Sequence, residues 1–177
     1  MIFHPEQDIA PSADPYRVLV AIRDENDLYP LLRPAAALAR AQEGEVCLLT
    51  VTRTGAQPAW LKLPEEKNDD TPIQINVQSG RNVGAVILQQ IQQLEPDLLI
   101  LGWRGRTSRG RYLLSRTLDP VIQGAPCDVI VLRGEYIDKM KHVLVPVAGG
   151  PNAPRAFDIA RAIAPEAEII ALYVASQ

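Results

Sequence analysis

Two short runs, Leu98–Leu101 in PDLLILG and Val129–Leu132 in CDVIVLR, are apolar at every position. A run of that length bounded by Pro96 and Gly102 reads as a strand buried on both faces. Such strands occur where helices cover both sides of a parallel sheet. Upstream, the hydrophobic period switches repeatedly. RVLVAI (Arg17 to Ile22) and EVCLLTV (Glu45 to Val51) read as further strands, and Ile73, Ile75 and Val77 alternate as a half-exposed edge strand does. Between them Leu28, Leu31, Leu32, Ala35, Leu38 and Ala39 recur at helical spacing up to about Gly44. Val83, Val86, Ile87, Ile91 and Leu94 do so again after a capping residue, Asn82 or Ser79. Pro30 suits a first helical turn, and Pro34 predicts an irregular opening. A third, shorter helical face over Leu113, Leu114, Leu118, Val121 and Ile122 is expected to be cut or kinked by Pro120. Alternation of this kind predicts an α/β, Rossmann-like, open and mainly parallel five-stranded sheet with helices on both faces.

The strand Leu98–Leu101 runs into a glycine loop and then into arginines. Gly102 and Gly105 are followed or flanked by Arg104, Arg106, Arg109, Arg111 and Arg116, with no Asp or Glu from Trp103 to Leu118. Glycines at the carboxyl end of a parallel strand let backbone N–H groups approach an anion, and guanidinium forks suit phosphate. The plainer reading is that the glycines only turn the chain and the arginines form a solvated face. Net charge is −3, and without those five arginines it would be −8, so positive charge is concentrated here. A concentrated patch suits a small anion; a nucleic-acid duplex calls for a broad basic face.

Other features narrow the classes. Cys47 and Cys127 each lie in or beside an apolar run with no second ligand at metal spacing, and read as buried, reduced thiols with no metal site. No apolar run reaches membrane-spanning length, and the amino terminus carries no basic-then-apolar signal, so a cytoplasmic location is expected. His4 and His142 have no recognisable nucleophile or acid partner, and neither a Gly-Lys-Ser/Thr nor a Gly-x-Gly-x-x-Gly phosphate motif occurs. Enzymatic activity is therefore not expected, apart from slow hydrolysis of a bound nucleotide.

Residues 1–15, with three prolines and no periodicity, read as a flexible leader, and Thr52 to Pro72 as a long loop that Trp60 and Leu61 tuck down. After Arg133 the pattern begins again. RVLVAI is echoed by HVLVPV at His142, PLLRPAAALARA by PRAFDIARAI from Pro154, and EVCLLTV by EIIALYV at Glu168. Three segments in order suggest a duplicated unit. The expected organisation is a leader over 1–15, a complete domain over 16–134, a linker over 135–141, and over 142–177 the first βαβ unit of a second, truncated repeat, which should pack on the first domain or on another copy of the chain.

At the level of motifs the chain resembles the universal stress protein family. DLLILG with Gly102 and Gly105 is similar to the first part of that family's Gly-x2-Gly-x9-Gly-Ser/Thr pattern, and Ala125-Pro126-Cys127-Asp128-Val129 to its late strand entry. The resemblance implies a module that binds ATP or another adenine nucleotide, with Gly102, Arg104, Gly105, Ser115, Arg116 and Thr117 at the phosphates and Ile22 and Val51 bounding the base. Departures fall on that site. Arg23 stands where the family's ribose-binding acid is expected, Ser115 replaces the third glycine and Arg116 the following hydroxyl, which makes the pocket more cationic and suits an anion-rich ligand such as ATP or a cyclic dinucleotide. Family likeness also implies a homodimer. The Gly-Trp-Arg-Gly loop looks like that of tandem domains on the cytosolic end of membrane transporters, which would place the chain at the inner face of a membrane within a larger protein. The alternative is a degenerate domain without ligand that acts by dimerising or docking.

Overall fold

The computed structural model describes residues 2–3, 14–63, 71–105, 114–134, 139–147 and 152–173. Five parallel strands form the main sheet: β2 (Arg17–Ile22), β3 (Glu45–Thr52), β4 (Ile73–Ser79), β5 (Leu98–Gly102) and β6 (Asp128–Leu132). Their spatial order is β6-β5-β2-β3-β4. The expected parallel α/β architecture is what the chain adopts. One strand was not foreseen: β1 (Ile2–Phe3) pairs antiparallel with β6, Ile2 opposite Ile130 and Phe3 opposite Val129, and makes the sheet six-stranded. Two residues are too few to show a period, yet they cover backbone groups that β6 would otherwise leave open. The rest of the leader, residues 4–13, lies outside the described residues, as does the charged tract from Glu65 to Asp70.

Alternation along each strand divides the core in two. Val18, Val20, Val46, Leu48, Leu98 and Ile100 face one helix, α1 (Glu25–Arg40), through Leu28, Leu31, Leu32 and Ala35. Leu19, Cys47, Leu49, Leu99 and Leu101 face the other side, covered by α2 (Val83–Leu94) and α3 (Leu118–Gly124) through Ile87, Ile91 and Val121. Leu61 is fully buried on the α1 side and Trp60 packs beside it, so the described part of the long loop before residue 64 is tucked down as its apolar pair implies.

Two helix expectations need correction. α1 is continuous from Glu25, with Pro30 and Pro34 both inside it. Each proline removes one backbone donor, but four buried leucines on the same face fix the helix against the sheet, and Asp24 caps its start by accepting from the Asn26 N–H at 3.0 Å. α3 begins only at Leu118, so Pro120 falls in the first turn, where it is tolerated and makes no kink. Of the two candidate caps for α2, Asn82 is the one used, accepting from the Ala85 N–H at 3.2 Å.

A second small sheet pairs β7 (His142–Val147) with β8 (Glu168–Tyr173) in parallel, with α4 (Asn152–Ile163) between them in sequence. Its register repeats that of the first unit: His142 opposes Glu168 as Arg17 opposes Glu45. The side chains of these paired residues also meet, Arg17 Nε and Glu45 Oε1 at 2.6 Å and His142 Nε2 and Glu168 Oε2 at 3.5 Å. α4 packs on α1, placing Ile159, Ala162 and Ile163 against the first core. Arg155 reaches the buried Asp128 carboxylate at 3.2 Å and the Tyr16 hydroxyl at 3.3 Å.

Burial at this end of the sheet has a consequence in alkali. Desolvation pushes the Tyr16 phenol up to about 12 against the pull of Arg155, and pushes the Cys127 thiol up to about 12 as well. In the unfolded chain both ionise at their ordinary values of 10.0 and 9.0. Above that range the unfolded state binds fewer protons than the folded one, so stability present at neutral pH is lost as pH rises toward 12, by roughly 1.4 kcal/mol per group for each pH unit. Urea midpoints should fall from about pH 9 upward, and Cys127→Ala should flatten the first part of that decline. A midpoint constant to about pH 11 would contradict the burial of these groups.

Candidate functional site

The chain leaves β2 toward β3 and β4 on one side, then crosses back to β5 on the other, so the strand order reverses between β2 and β5. A crevice opens there beyond the carboxyl ends of the strands, as this topology requires. It is a cleft of ≈ 350 Å³. Its apolar walls are Ala21, Ile22, Leu49, Val51 and Leu101 from the strands, Val83 and Ile87 from α2, and Leu118 from α3. Its polar groups are Arg23, Asp27, Arg104, Ser115 and Thr117, and Gly102, Trp103 and Gly105 complete the lining.

Of the nine residues singled out in the sequence, Ile22, Arg23, Val51, Gly102, Arg104, Gly105, Ser115 and Thr117 all line this cleft, and Arg116 is exposed outside it. Arg106, Arg109 and Arg111 lie outside the described residues. Asp27, Val83, Ile87 and Trp103 were not anticipated. The two helix residues Val83 and Ile87 were legible as apolar, but their distance from the glycine loop in sequence hid their place beside it.

Arg104 reaches back across the mouth of the cleft to the start of α1. Its guanidinium lies 2.6 Å from Asp27 Oδ1 and 3.0 Å from Asp24 Oδ1. Arg23 joins the same group, with Nε 3.1 Å from Asp24 Oδ2 and its backbone N–H donating to Asp27 Oδ2 at 3.4 Å. Asp27 is only 8% exposed, whereas Asp24 lies at the surface. Desolvation acts to raise the Asp24 carboxyl, but the hydrogen bonds from Arg23, the Asn26 N–H and Arg104 together hold it below its ordinary value.

The glycines serve close packing. A Cβ on Gly102 would stand 3.1 Å from Leu31 Cδ1 and 3.5 Å from Asp27 Oδ1, so Gly102 lets α1 approach the end of β5. A Cβ on Gly105 would stand 2.6 Å from Trp103 Nε1. Among the described glycines, only Gly55 and Gly134 have positive φ. Trp103 donates its backbone N–H to Leu132 at 2.8 Å and carries the Arg133 guanidinium 4.9 Å from its ring centroid. Its indole N–H is buried and has no acceptor among the described residues.

The approach to α3 is likewise occupied from within. Asp119 Oδ1 accepts from the Leu114 N–H at 2.9 Å and the Ser115 N–H at 3.2 Å. Ser115 Oγ accepts from the Leu118 N–H at 2.9 Å and the Thr117 N–H at 3.3 Å. The Ser115 hydroxyl therefore binds the backbone of the turn that leads into α3.

Residues 63–133, which span β4 through β6 and one wall of the cleft, match the model of the universal stress protein family. Over that segment the chain is similar to the universal stress protein family. Among solved structures, a universal stress protein in complex with cAMP is 21% identical with a TM-score of 0.54, over 68% of this chain and 98% of that one. A universal stress protein from Archaeoglobus fulgidus DSM 4304 is 25% identical with a TM-score of 0.56, over 67% of this chain but only 44% of that one. These likenesses support the fold. No curated protein matches the chain. Among the described residues, no three His, Cys, Asp or Glu side chains form a group able to hold a metal ion, and no helix is long and apolar enough to cross a membrane.

Proposed function

We propose that this universal stress protein domain is a non-catalytic regulatory module that binds an adenine nucleotide in the cleft between β2 and β5. The observation that carries the reading is the cleft itself: an apolar slot at the switch point of the sheet, edged on one side by Arg23 and Arg104 and on the other by the hydroxyl residues Ser115 and Thr117. At ≈ 350 Å³ it sits at the small end of the roughly 300–1,000 Å³ usual for ligand pockets, enough for a planar base with its sugar. Ile22 and Val51 flank the slot where a base would stack. A relative of the same fold is described in complex with cAMP, which agrees with a ligand of this class.

Calorimetry and thermal shift with cAMP, AMP and ATP test the reading. At least one should raise the melting temperature, since a ligand of the folded state alone stabilises it by about 2.7 kcal/mol at one hundred times its Kd. Val51→Trp, at a half-buried position on the wall, should fill the slot and reduce binding by about tenfold or more while the fold persists.

A second reading, docking without ligand, has its own support in the small sheet. Leu144 and Ile170 are paired neighbours on the face opposite Val143, Val145 and Ile169, and Leu144, Ile170 and Leu172 are 57%, 42% and 47% exposed. An apolar face of this kind suits a second copy of the chain. A protein that binds no adenine nucleotide and runs at twice its mass in light scattering, returning to single mass with Leu144→Asp, would replace the first reading with this one. Regulation of a transporter belongs with either reading and requires membrane-spanning segments encoded in the same gene.

A further inference from the structure

We infer that the open face of the small sheet is a docking site for one amphipathic helix of a partner protein, laid across β7 and β8 with its carboxyl end at His142. The inference is independent of what the cleft binds, and it differs from the docking reading above in naming a helix, rather than a second copy, as what this face takes.

The first unit of the chain is the template. Strand register makes the two units correspond pair by pair. Arg17 opposite Glu45, Leu19 opposite Cys47 and Ala21 opposite Leu49 match His142 opposite Glu168, Leu144 opposite Ile170 and Pro146 opposite Leu172. One side of each unit carries a helix, α1 on β2 and β3, α4 on β7 and β8. On the other side the units part. Leu19, Cys47 and Leu49 are buried, with α2 laying Ile87 and Ile91 in the same cluster. Their counterparts Leu144, Ile170 and Leu172 are exposed. A row that α2 buries in one unit and that stays open in the other fits an occupant with the chemistry of α2, a helix carrying aliphatic side chains at i and i+4. Width agrees: two strands side by side offer a strip about 10 Å across, the diameter of one helix.

Charge sets the direction. Arg17, in the row of Leu19 at the start of β2, donates Nη1 to the Leu94 carbonyl at 2.5 Å, in the last turn of α2. A cation there meets the negative end of the helix dipole. His142 holds the same place at the start of β7, beside Glu168 as Arg17 is beside Glu45, and its ring N–H can donate to the last carbonyls of a docked helix in the same way.

The probe that tests this is α2 itself, as a peptide of residues 81–95. A hydrocarbon staple between Ala85 and Gln89, both exposed in α2, holds it helical before it binds. Followed by fluorescence anisotropy, it should bind the full chain. Leu144→Asp and Ile170→Asp, at exposed positions where the fold tolerates a charge, should each weaken binding by about tenfold or more. A spin label on the peptide's carboxyl end should broaden the His142 ring signals in NMR spectra, and one on its amino end should not. The inference is overturned by a folded natural chain that ignores the peptide, by binding that neither aspartate weakens, or by broadening from the amino end alone. A chain that excludes the peptide and runs at twice its mass until Leu144→Asp is introduced gives the face to a second copy instead.

Discussion

Gly44→Ala is expected to be the most damaging glycine-to-alanine change among the described residues. An alanine Cβ there would lie 2.0 Å from the Tyr16 carbonyl oxygen and 2.8 Å from its carbon, contacts with backbone that no rotamer change relieves. That same oxygen accepts the Glu45 N–H at 2.8 Å, the bond that leads β3 into register beside β2. Room for the methyl can come only from parting the two strands at their start, where Arg17 Nε and Glu45 Oε1 also meet at 2.6 Å. The expected loss is about 3–5 kcal/mol, a large share of the roughly 5–15 kcal/mol that holds a domain together. Urea unfolding followed by Trp fluorescence would show the midpoint collapse or no folded baseline at all. Gly134→Ala is the control: its φ of +108° makes an alanine strained, but nothing lies within 4 Å, so the cost there should stay near 1–2 kcal/mol. If Gly44→Ala unfolds at the same urea concentration as the natural chain, the close approach of β3 to Tyr16 is not as described.

The contrast between what could be read from residues and what could not follows from the range of the forces involved. Leu98–Leu101 announces a central strand because burial on both faces leaves no polar position to confuse the pattern, and the structure indeed places it between β2 and β6. Pro30 and Pro34 mislead because a propensity rule describes an isolated helix, while here packing against the sheet decides. Asp27 misleads more deeply. In the run Asp24-Glu25-Asn26-Asp27 it looks like one more solvated acid in the first turn of a helix. Only the packing of α1 onto Gly102 turns it inward, toward a residue seventy-seven positions away in the chain, Arg104. The capture of Leu114 and Ser115 by Asp119 is hidden for the opposite reason: it is short-range, but a side chain that bends back to its own backbone leaves no periodic trace. Gly102, Arg104 and Gly105 of the glycine-arginine segment line the cleft, but nothing in their spacing told which carboxylates Arg104 meets.

Removing one of those charges should expose that arrangement. Arg104→Ala is expected to destabilise the protein by about 2–3 kcal/mol, well above the 0–1 kcal/mol of an ordinary surface ion pair. The reason is asymmetry in burial. Arg104 and Asp24 are each more than a third exposed, but the Asp27 side chain is only 11% exposed and takes the shorter contact. Without Arg104 the cation left in an ion pair with Asp27 among the described residues is Arg23, whose Nε is 3.9 Å from Asp27 Oδ2 and whose side chain is 66% exposed, too solvated to compensate. The double variant Arg104→Ala/Asp27→Asn discriminates between lost pairing and lost packing. If the uncompensated carboxylate is the cause, removing its charge should recover about half or more of the loss, a coupling of about 1–2 kcal/mol. If the two variants instead add independently, Arg104 stabilises the loop through its alkyl stem alone. Should Arg104→Ala prove neutral, the ion pair with Asp27 is dispensable to the fold.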